Sequence, residues 1–520
     1  QAMSSPYAYF WAEAIVKEWL EIVGNNTWLL VDKMPWMRII PCKWIFNIKT
    51  DSDGIPYRFK ARLVAGGHRQ TEGIDYDETY APVSRLATLR TMLAVAAHRG
   101  WEVHQIDITT AFLNGDIDAD VYMLQPPGFI DGNNKVCKLQ RCLYGLKQAP
   151  RAWYEKLKSV LAKFGFLPIS ADISFWLRKA DDTVVYLSSV VDDMLMTNPN
   201  TALTIHLLKC ILNILKGNYM GVVKHFNGMK ISWFPKTHSV VLTQPGHVDK
   251  IVNTFKHLDH SILLPRDLPI KPGLKLCLGG TSEDPKSPSL DVETYHFRAL
   301  VGSMNYISCC TRPDITFTVN QLSRYANDPK EAHWQVAIDL LRYLNTTKHW
   351  GIRLGHAHGV YDETYVRNKC VAYAFADANH GTGVDDKRSI TGMVLCVYGG
   401  PVSWCSKVQS VTSTSTVESE TRALSEASRE SLWLAKIITL FSIPPRPFVI
   451  KGDSKGAIDA IRNQSYTKHT RHIEIHHDFM KQRYQLGDLG YEHVSDKSNP
   501  ADIFTKAQSA HDFKNCQTTL

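Results

Sequence analysis

Tyr186–Thr197, YLSSVVDDMLMT, sets two adjacent aspartates, Asp192 and Asp193, inside an otherwise apolar run. Carboxylates are rarely buried without a partner. The flanks, Thr183–Val191 and Met194–Thr197, are rich in Val, Leu and Tyr and read as two short strands, with the aspartates in the turn of a hairpin. In a regular strand neighbouring side chains face opposite ways, so two adjacent carboxylates share one site only where the chain turns. An ordinary Asx-type hairpin turn fits this stretch equally well. The rest of the chain has to decide between the two.

A third carboxylate comes from WEVHQIDITTAFLNGD, where Val103, Gln105 and Asp107 alternate with His104, Ile106 and Ile108 and Asp107 ends a strand. Asp116, Asp118 and Asp120 follow at every second position. Val121 stands where a calcium loop needs Gly, and Pro127 where it needs the closing Glu, so that loop is excluded. Upstream, residues 36–69 read as strand, Asp-Gly turn and strand, with seven Lys/Arg against two Asp. Trp44, Phe46, Tyr57 and Phe59 interleave with these cations, which suits a surface for phosphates and bases. A solvated edge hairpin is the plainer alternative. In residues 1–35, Phe10, Ala14, Ile15, Trp19 and Ile22 recur at helical spacing, and Thr88–His98 is a second expected helix. Residues 136–166 carry a basic, aromatic turn running into an amphipathic helix that Pro150 would start.

The length of 520 residues implies two or more domains. A 44% hydrophobic and 21% charged composition is that of a folded protein, and the net charge of +8 permits a polyanionic partner without demanding one. Eleven cysteines at irregular positions, with no C-x-x-C pair, indicate neither a zinc module nor a disulfide framework. No apolar run approaches the roughly 18 residues that span a bilayer, and no signal pattern opens the chain. The expectation is a chain in the cytosol or nucleus with no membrane partner. Gln1 in place of Met is what a product cut from a longer polyprotein would show.

KARLVAGGHRQTEGIDYDETYAPV, HQIDITTAFLNGD, VYMLQPPGF, CLYGLKQAPRAWYEKL and VVDDML follow one another as do the motifs of copia-type retrotransposon reverse transcriptases, which this succession resembles. FADANH, DDKRSITGMVLCVYGGPVSWCSKVQ, TSTSTVESETRAL, GDSKGAI and NPADIFTK then resemble the family's ribonuclease H. Together they cover nearly the whole chain. The resemblance implies an α+β fold: a right-hand polymerase of fingers, palm and thumb, followed by an α/β ribonuclease H-like domain. The ranges expected are 1–35 (amino-terminal helical segment), 36–240 (fingers and palm), 241–365 (thumb and connection, with a loop at 262–292), 366–506 (ribonuclease H) and 507–520 (tail). Residues 200–345 read as mostly helical.

By the same resemblance, Asp107, Asp192 and Asp193 are the polymerase's catalytic metal ligands, and Asp377, Glu420, Asp453 and Asp502 those of the nuclease. Glu418 is the alternative to Glu420. The cofactor implied is Mg²⁺, or Mn²⁺, since hard cations take oxygen ligands and a metal pair stabilises both entering and leaving oxygens in phosphoryl transfer. Lys60 and Arg62 are expected at the triphosphate, Phe112 at the sugar 2′ position, and Tyr144, Gly145, Lys147 and Gln148 around the nucleotide and template. Implied partners are an RNA template, a DNA primer, an RNA–DNA hybrid, deoxynucleoside triphosphates and other polyprotein products, in cytoplasmic virus-like particles or the nucleus. His469, His472 and His476 share a helical face but lack a further ligand in register, which favours a surface over a metal site. The sequence departs from the family pattern at Val190, where an aromatic is usual, at Ser188 and Ser189, and at Asn227, which would be costly if buried without partners. These departures motivate an alternative, a degenerate, non-catalytic relic that binds nucleic acid at most.

Overall fold

A computed structural model of the chain describes residues 2–50, 56–132, 134–180, 182–355, 371–443, 447–462 and 474–519. The fold is mixed α+β and divides into two compact units. The first holds residues up to Ser84 and Glu102–Val223; the second holds Arg85–Trp101 and Lys224–Leu520.

The first unit is organised by a six-stranded antiparallel sheet. Its strand order is Gly217–Val222, Val103–Ile108, Asp193–Thr197, Thr183–Val190, Asp172–Ala180 and Leu167–Ile169. Period-two alternation splits its two faces. Ile106, Ile108, Val185, Leu187, Met194 and Met196 face a core completed by the helices Ala149–Lys163 and Thr201–Leu212. Gln105, Asp107 and Asp193 are therefore left on the opposite face. The helix at Ala149–Lys163 starts with Pro in its first turn, as the sequence implied. The basic stretch forms the antiparallel ribbon of Cys42–Thr50 and Pro56–Ala65; the expected Asp53-Gly54 turn lies outside the described residues. Across this ribbon lies the amino-terminal helix Ala8–Gly24, where Trp11 packs edge-on against Phe46 and Phe59.

The second unit contains a five-stranded mixed sheet ordered Gly400–Val408, Ile390–Val397, Ala372–Asn379, Phe448–Gly452 and Leu489–His493. The first three strands are antiparallel, and the last two join Ala372–Asn379 in parallel. The long helix Thr416–Leu440 covers it. Helices Pro245–Phe255, Phe297–Cys310, Thr316–Ser323 and Glu331–Thr346 share one apolar core with side chains of that sheet. The expectation of a mostly helical stretch over 200–345 fails at 217–243, which forms the strands Gly217–Val222, His225–Phe226, Met229–Phe234 and Ser239–Thr243. MKISWF alternates at period two and SVVLT is a short apolar run, and pairing of the two with each other selects the strand. Asn227 is exposed at φ 45° in a turn between two of these strands, so the anticipated cost of burying it does not arise; Asn tolerates this left-handed backbone.

Helix Leu86–Arg99 is buried on every side from Ala87 to Ala97 and belongs to the second unit, although it precedes strand Val103–Ile108 of the first. Its Arg90 donates to the carbonyls of Cys309 (2.9 Å) and Cys310 (3.1 Å) and lies 3.9 Å from the Trp404 ring centroid. These carbonyls end a helix and have no further turn to accept from. Arg99 donates to the Phe441 carbonyl, and His98 stacks on Tyr398. Arg90→Ala is expected to cost about 2–4 kcal/mol by stranding buried carbonyls. Urea unfolding followed by tryptophan fluorescence reads this as a lower midpoint; an unchanged midpoint would show that Arg90 does not fix the helix.

Candidate active sites

The first site lies at the hairpin end of the six-stranded sheet, on the face opposite the helix-covered core. Asp107 and Asp193 are direct cross-strand partners, and Gln105 donates to Asp193 Oδ1 at 3.0 Å. Val190 pairs with Asp193, so the hairpin turn consists of Val191 and Asp192. Asp193 is thus the first residue of a strand, where the sequence had suggested a turn. Pairing with Asp107 recruits it into the ladder, and the turn at Asp192 is what lets both aspartates face one space. Val191 takes φ 54°, a strained conformation for a β-branched residue. Its carbonyl accepts from Trp153 Nε1 at 2.7 Å, and the Asp192 carbonyl accepts from Ile108 N–H at 2.8 Å, so both ends of the turn are tied down. Ser188 and Ser189 are buried and satisfied: Ser188 reaches Ser84 Oγ, and Ser189 bonds the Ser174 carbonyl and accepts from Trp176 Nε1.

Asp107, Asp192 and Asp193 line one cavity of about 250 Å³ with Lys60, Arg62, Tyr144, Asn218 and Glu18. The Arg62 guanidinium lies 4.9 Å from the Tyr144 ring centroid, and Tyr144 meets Phe112 edge-on at 4.9 Å. Burial pushes the Tyr144 hydroxyl up to about 12, with Arg62 opposing and Asp192 and Glu18 reinforcing the shift. Gly145 takes φ 92°, and a Cβ there would fall 2.2 Å from the Ala65 carbonyl, so only glycine fits. Lys147 and Gln148 do not line this cavity. Gln148 is buried, donating to the Asp75 carbonyl and accepting from Gln70; Lys147 bonds the Tyr76 hydroxyl. Both were expected at the nucleotide. In the fold their side chains tie the Tyr144 turn to residues 70–76.

The second site gathers side chains from four distant segments. Asp377 stands in strand Ala372–Asn379, Glu420 on the first turns of helix Thr416–Leu440, and Asp453 just past strand Phe448–Gly452. Their oxygens lie within 4.8 Å of one another. Asp502, in the short 3-10 segment Pro500–Phe504, adds its charge beside Asp377 and pairs through Oδ2 with Lys506 at 2.8 Å. Burial, then repulsion from Asp502, raises Asp377 above the carboxylate range. Burial, then repulsion from Asp377 and Asp453, raises Glu420. Burial followed by Asp377 pushes Asp453 up to about 6. Thr505 donates to Asp377, and the Ala378 N–H donates to Glu420 at 3.2 Å. Asp502 Oδ1 is buried with no hydrogen-bond partner among the described residues. Crowded oxygens and an unpartnered carboxylate oxygen together fit a hard divalent cation. Glu418 does not join them: it caps its own helix through Thr414 N–H (2.7 Å) and pairs with Arg422 (2.9 Å). Burial alone would raise it, but these donors hold it down at about 2.

Residues 25–265 match the family described as reverse transcriptase (RNA-dependent DNA polymerase). The chain is 35% identical over 97% of its length to a retrovirus-related Pol polyprotein from transposon RE1 of Arabidopsis thaliana. It is 31% identical over 99% of its length to that from transposon TNT 1-94 of Nicotiana tabacum. The chain carries a reverse transcriptase domain, and the relatives it matches are Pol polyproteins of copia-like retrotransposons. It spans 33% and 38% of the lengths of those two relatives. Among solved structures it is similar to LC11-RNase H1 in complex with RNA/DNA hybrid, with 13% identity over 26% of this chain and 93% of that one and a TM-score of 0.21. It is likewise similar to RNase H1 from the halophilic archaeon Halobacterium salinarum NRC-1, with 16% identity, the same coverage and a TM-score of 0.20.

The sequence reading overlooked Glu18 and Gln105. Glu18 is 8% exposed and shares the buried stripe of its helix with Trp11 and Ile22. A lone Glu on an apolar helical stripe was the available signal. His469 and His472 lie outside the described residues, and His476 bonds Ser425 Oγ at 2.9 Å. Among the described residues no helix is long and apolar enough to cross a membrane.

Raised carboxyls give the second site a pH signature. Unfolded carboxyls titrate near 4, so at higher pH the folded protein holds more protons than the unfolded chain and loses stability as pH rises. In chelator-treated protein the melting temperature is expected to fall from about pH 4 upward through about 6. Asp377→Asn should flatten this slope and raise the neutral-pH melting point by roughly 2–4 °C. A slope unaffected by this substitution would contradict the crowding described above.

Proposed function

We propose that the chain is an RNA- and DNA-directed DNA polymerase joined to a ribonuclease H, copying a retrotransposon transcript and cleaving the RNA of RNA–DNA hybrids. One observation carries this reading: each unit holds its own acidic centre, and the first unit's centre shares a cavity with the cations Lys17, Arg58, Lys60 and Arg62 and an aromatic wall. Support for the nuclease half comes from the five-stranded order, three strands antiparallel and two parallel, with Asp377 on the central strand. The motif resemblance points the same way.

In this reading Asp107, Asp192 and Asp193 hold Mg²⁺ (or Mn²⁺) at the primer end, and Asp377, Glu420, Asp453 and Asp502 hold it at the scissile RNA phosphate. The bound metal supplies charge stabilisation to the attacking and leaving oxygens. Lys60 and Arg62 receive the triphosphate and offset the charge that develops on its oxygens. Tyr144 and Gly145 form the nucleotide wall, Phe112 closes off the 2′ position, and Lys147 and Gln148 brace that wall. Residues 36–240 provide fingers and palm, 241–365 thumb and connection, and 366–506 the nuclease, between an amino-terminal segment and a short tail. Template RNA, DNA primer and deoxynucleoside triphosphates are the substrates, encountered alongside other polyprotein products in cytoplasmic particles or the nucleus.

Asp192→Asn is expected to abolish extension of a DNA primer on an RNA template while leaving hybrid cleavage in place; Asp453→Asn is expected to do the reverse. Persistence of the targeted activity in either variant would refute that site. Wild-type protein inactive in both assays would favour the non-catalytic relic. Phe112→Ala is expected to raise ribonucleotide incorporation by at least about tenfold relative to deoxynucleotide, because a pocket's steric wall discriminates on that scale. Unaltered sugar selectivity would remove Phe112 from the gate.

A further inference from the structure

On helix Ala8–Gly24 the fully buried stripe reads Trp11, Glu18, Ile22. The two hydrophobic members pack as such residues do, but a carboxylate at that position is costly unless its charge is answered. The answer comes from the ribbon beneath it. Burial raises the proton affinity of Glu18, and the charges of Lys60 and Arg62 together with the Leu63 N–H oppose that rise. All of these except Leu63 line the cavity that holds Asp107 and Asp192.

Arg62 is the informative partner. Its Nε is buried with no hydrogen-bond partner among the described residues. Its guanidinium lies 4.9 Å from the Tyr144 ring centroid, in the cavity that Glu18 also lines, and the Glu18 charge acts on it across that space. Tyr144 in turn packs edge-on against Phe112. A long arginine has many rotamers, and a carboxylate together with an aromatic face leaves it few. Contacts run from Arg62 through Tyr144 to Phe112, and Glu18 supplies a buried charge in the same cavity.

We propose that Glu18 is a positioning residue for the incoming deoxynucleoside triphosphate, holding Arg62 on Tyr144 so that the cation, the aromatic wall and the Phe112 barrier keep fixed places. It acts through Arg62 and does not itself contact the reacting atoms. This role rests on the polymerase reading above. It also gives the amino-terminal helix a function beyond packing, because the helix supplies the counter-charge that the ribbon lacks on that face.

The test is steady-state primer extension on an RNA template with Mg²⁺, comparing wild type, Glu18→Gln, Glu18→Asp, Arg62→Ala and the Glu18→Gln/Arg62→Ala double variant. Thermal melts of each preparation confirm folding. Glu18→Gln keeps the size and the acceptor for Leu63 but removes the charge. It is expected to raise KM for deoxynucleotide about tenfold, the scale of one charge-assisted hydrogen bond. It should leave kcat within about threefold, since ground-state and transition-state binding weaken together. Discrimination against ribonucleotides should weaken too, and Glu18→Asp should recover part of both losses. In the Arg62→Ala background Glu18→Gln should add nothing. A wild-type KM in folded Glu18→Gln, or full additivity with Arg62→Ala, would overturn the role while leaving the polymerase reading intact. Absence of extension by the wild type would overturn that reading and this inference with it.

Discussion

Like charges in a dry place repel, and each acidic centre handles that constraint in its own way. In the second unit Asp377, Glu420 and Asp453 are brought within 4.8 Å, and Asp377 and Glu420 are buried. The backbone could have kept them apart, since they come from a strand, a helix and a loop. Holding them together raises their proton affinity and stores electrostatic strain that a cation would relieve. Thr505, Ala378 N–H and Lys506 offset part of it without neutralising the centre. In the first unit the three aspartates share a cavity with Lys60 and Arg62, and the opposing charge comes from the protein itself. The first centre is therefore balanced by cations already in the fold, whereas the second is left in deficit.

The placement of these groups follows from strand alternation. Met194 and Met196 face helices, so Asp193 cannot; Ile106 and Ile108 do the same for Asp107. One helix-covered face thereby orients the acidic one. The strained Val191 is tolerated because Trp153 and Ile108 grip the turn from either side.

Much of this was legible in the sequence. Asp107, Asp192, Asp193, Asp377, Glu420, Asp453 and Asp502 could be named because carboxylates interrupting apolar strands leave a local mark, and the family motifs supplied their grouping. What escaped was set by tertiary partners. Glu18 lies on a helix whose pattern looks merely amphipathic, and its importance appears only when the ribbon carrying Arg62 is placed beneath it. Lys147 and Gln148 stand in a motif that suggests ligand contact, yet their partners are Tyr76, Gln70 and Asp75, residues some seventy positions away. The strands between 217 and 243 were masked because short apolar runs fit helix and strand alike until a neighbour pairs with them.

Helix Leu86–Arg99 adds a temporal consequence. It leaves the ribosome long before its partners, because the carbonyls that Arg90 needs belong to Cys309 and Cys310, about 220 positions later. At about 5–20 residues per second, synthesis of that interval takes on the order of ten to forty seconds. Throughout it, a helix that the finished fold buries on every side has no native surface to cover it. The nascent chain thus carries an exposed greasy segment between two stretches of a unit that can already form. Chaperone capture during translation would suit this period, and a ribosome stalled before residue 300 would release an aggregation-prone product.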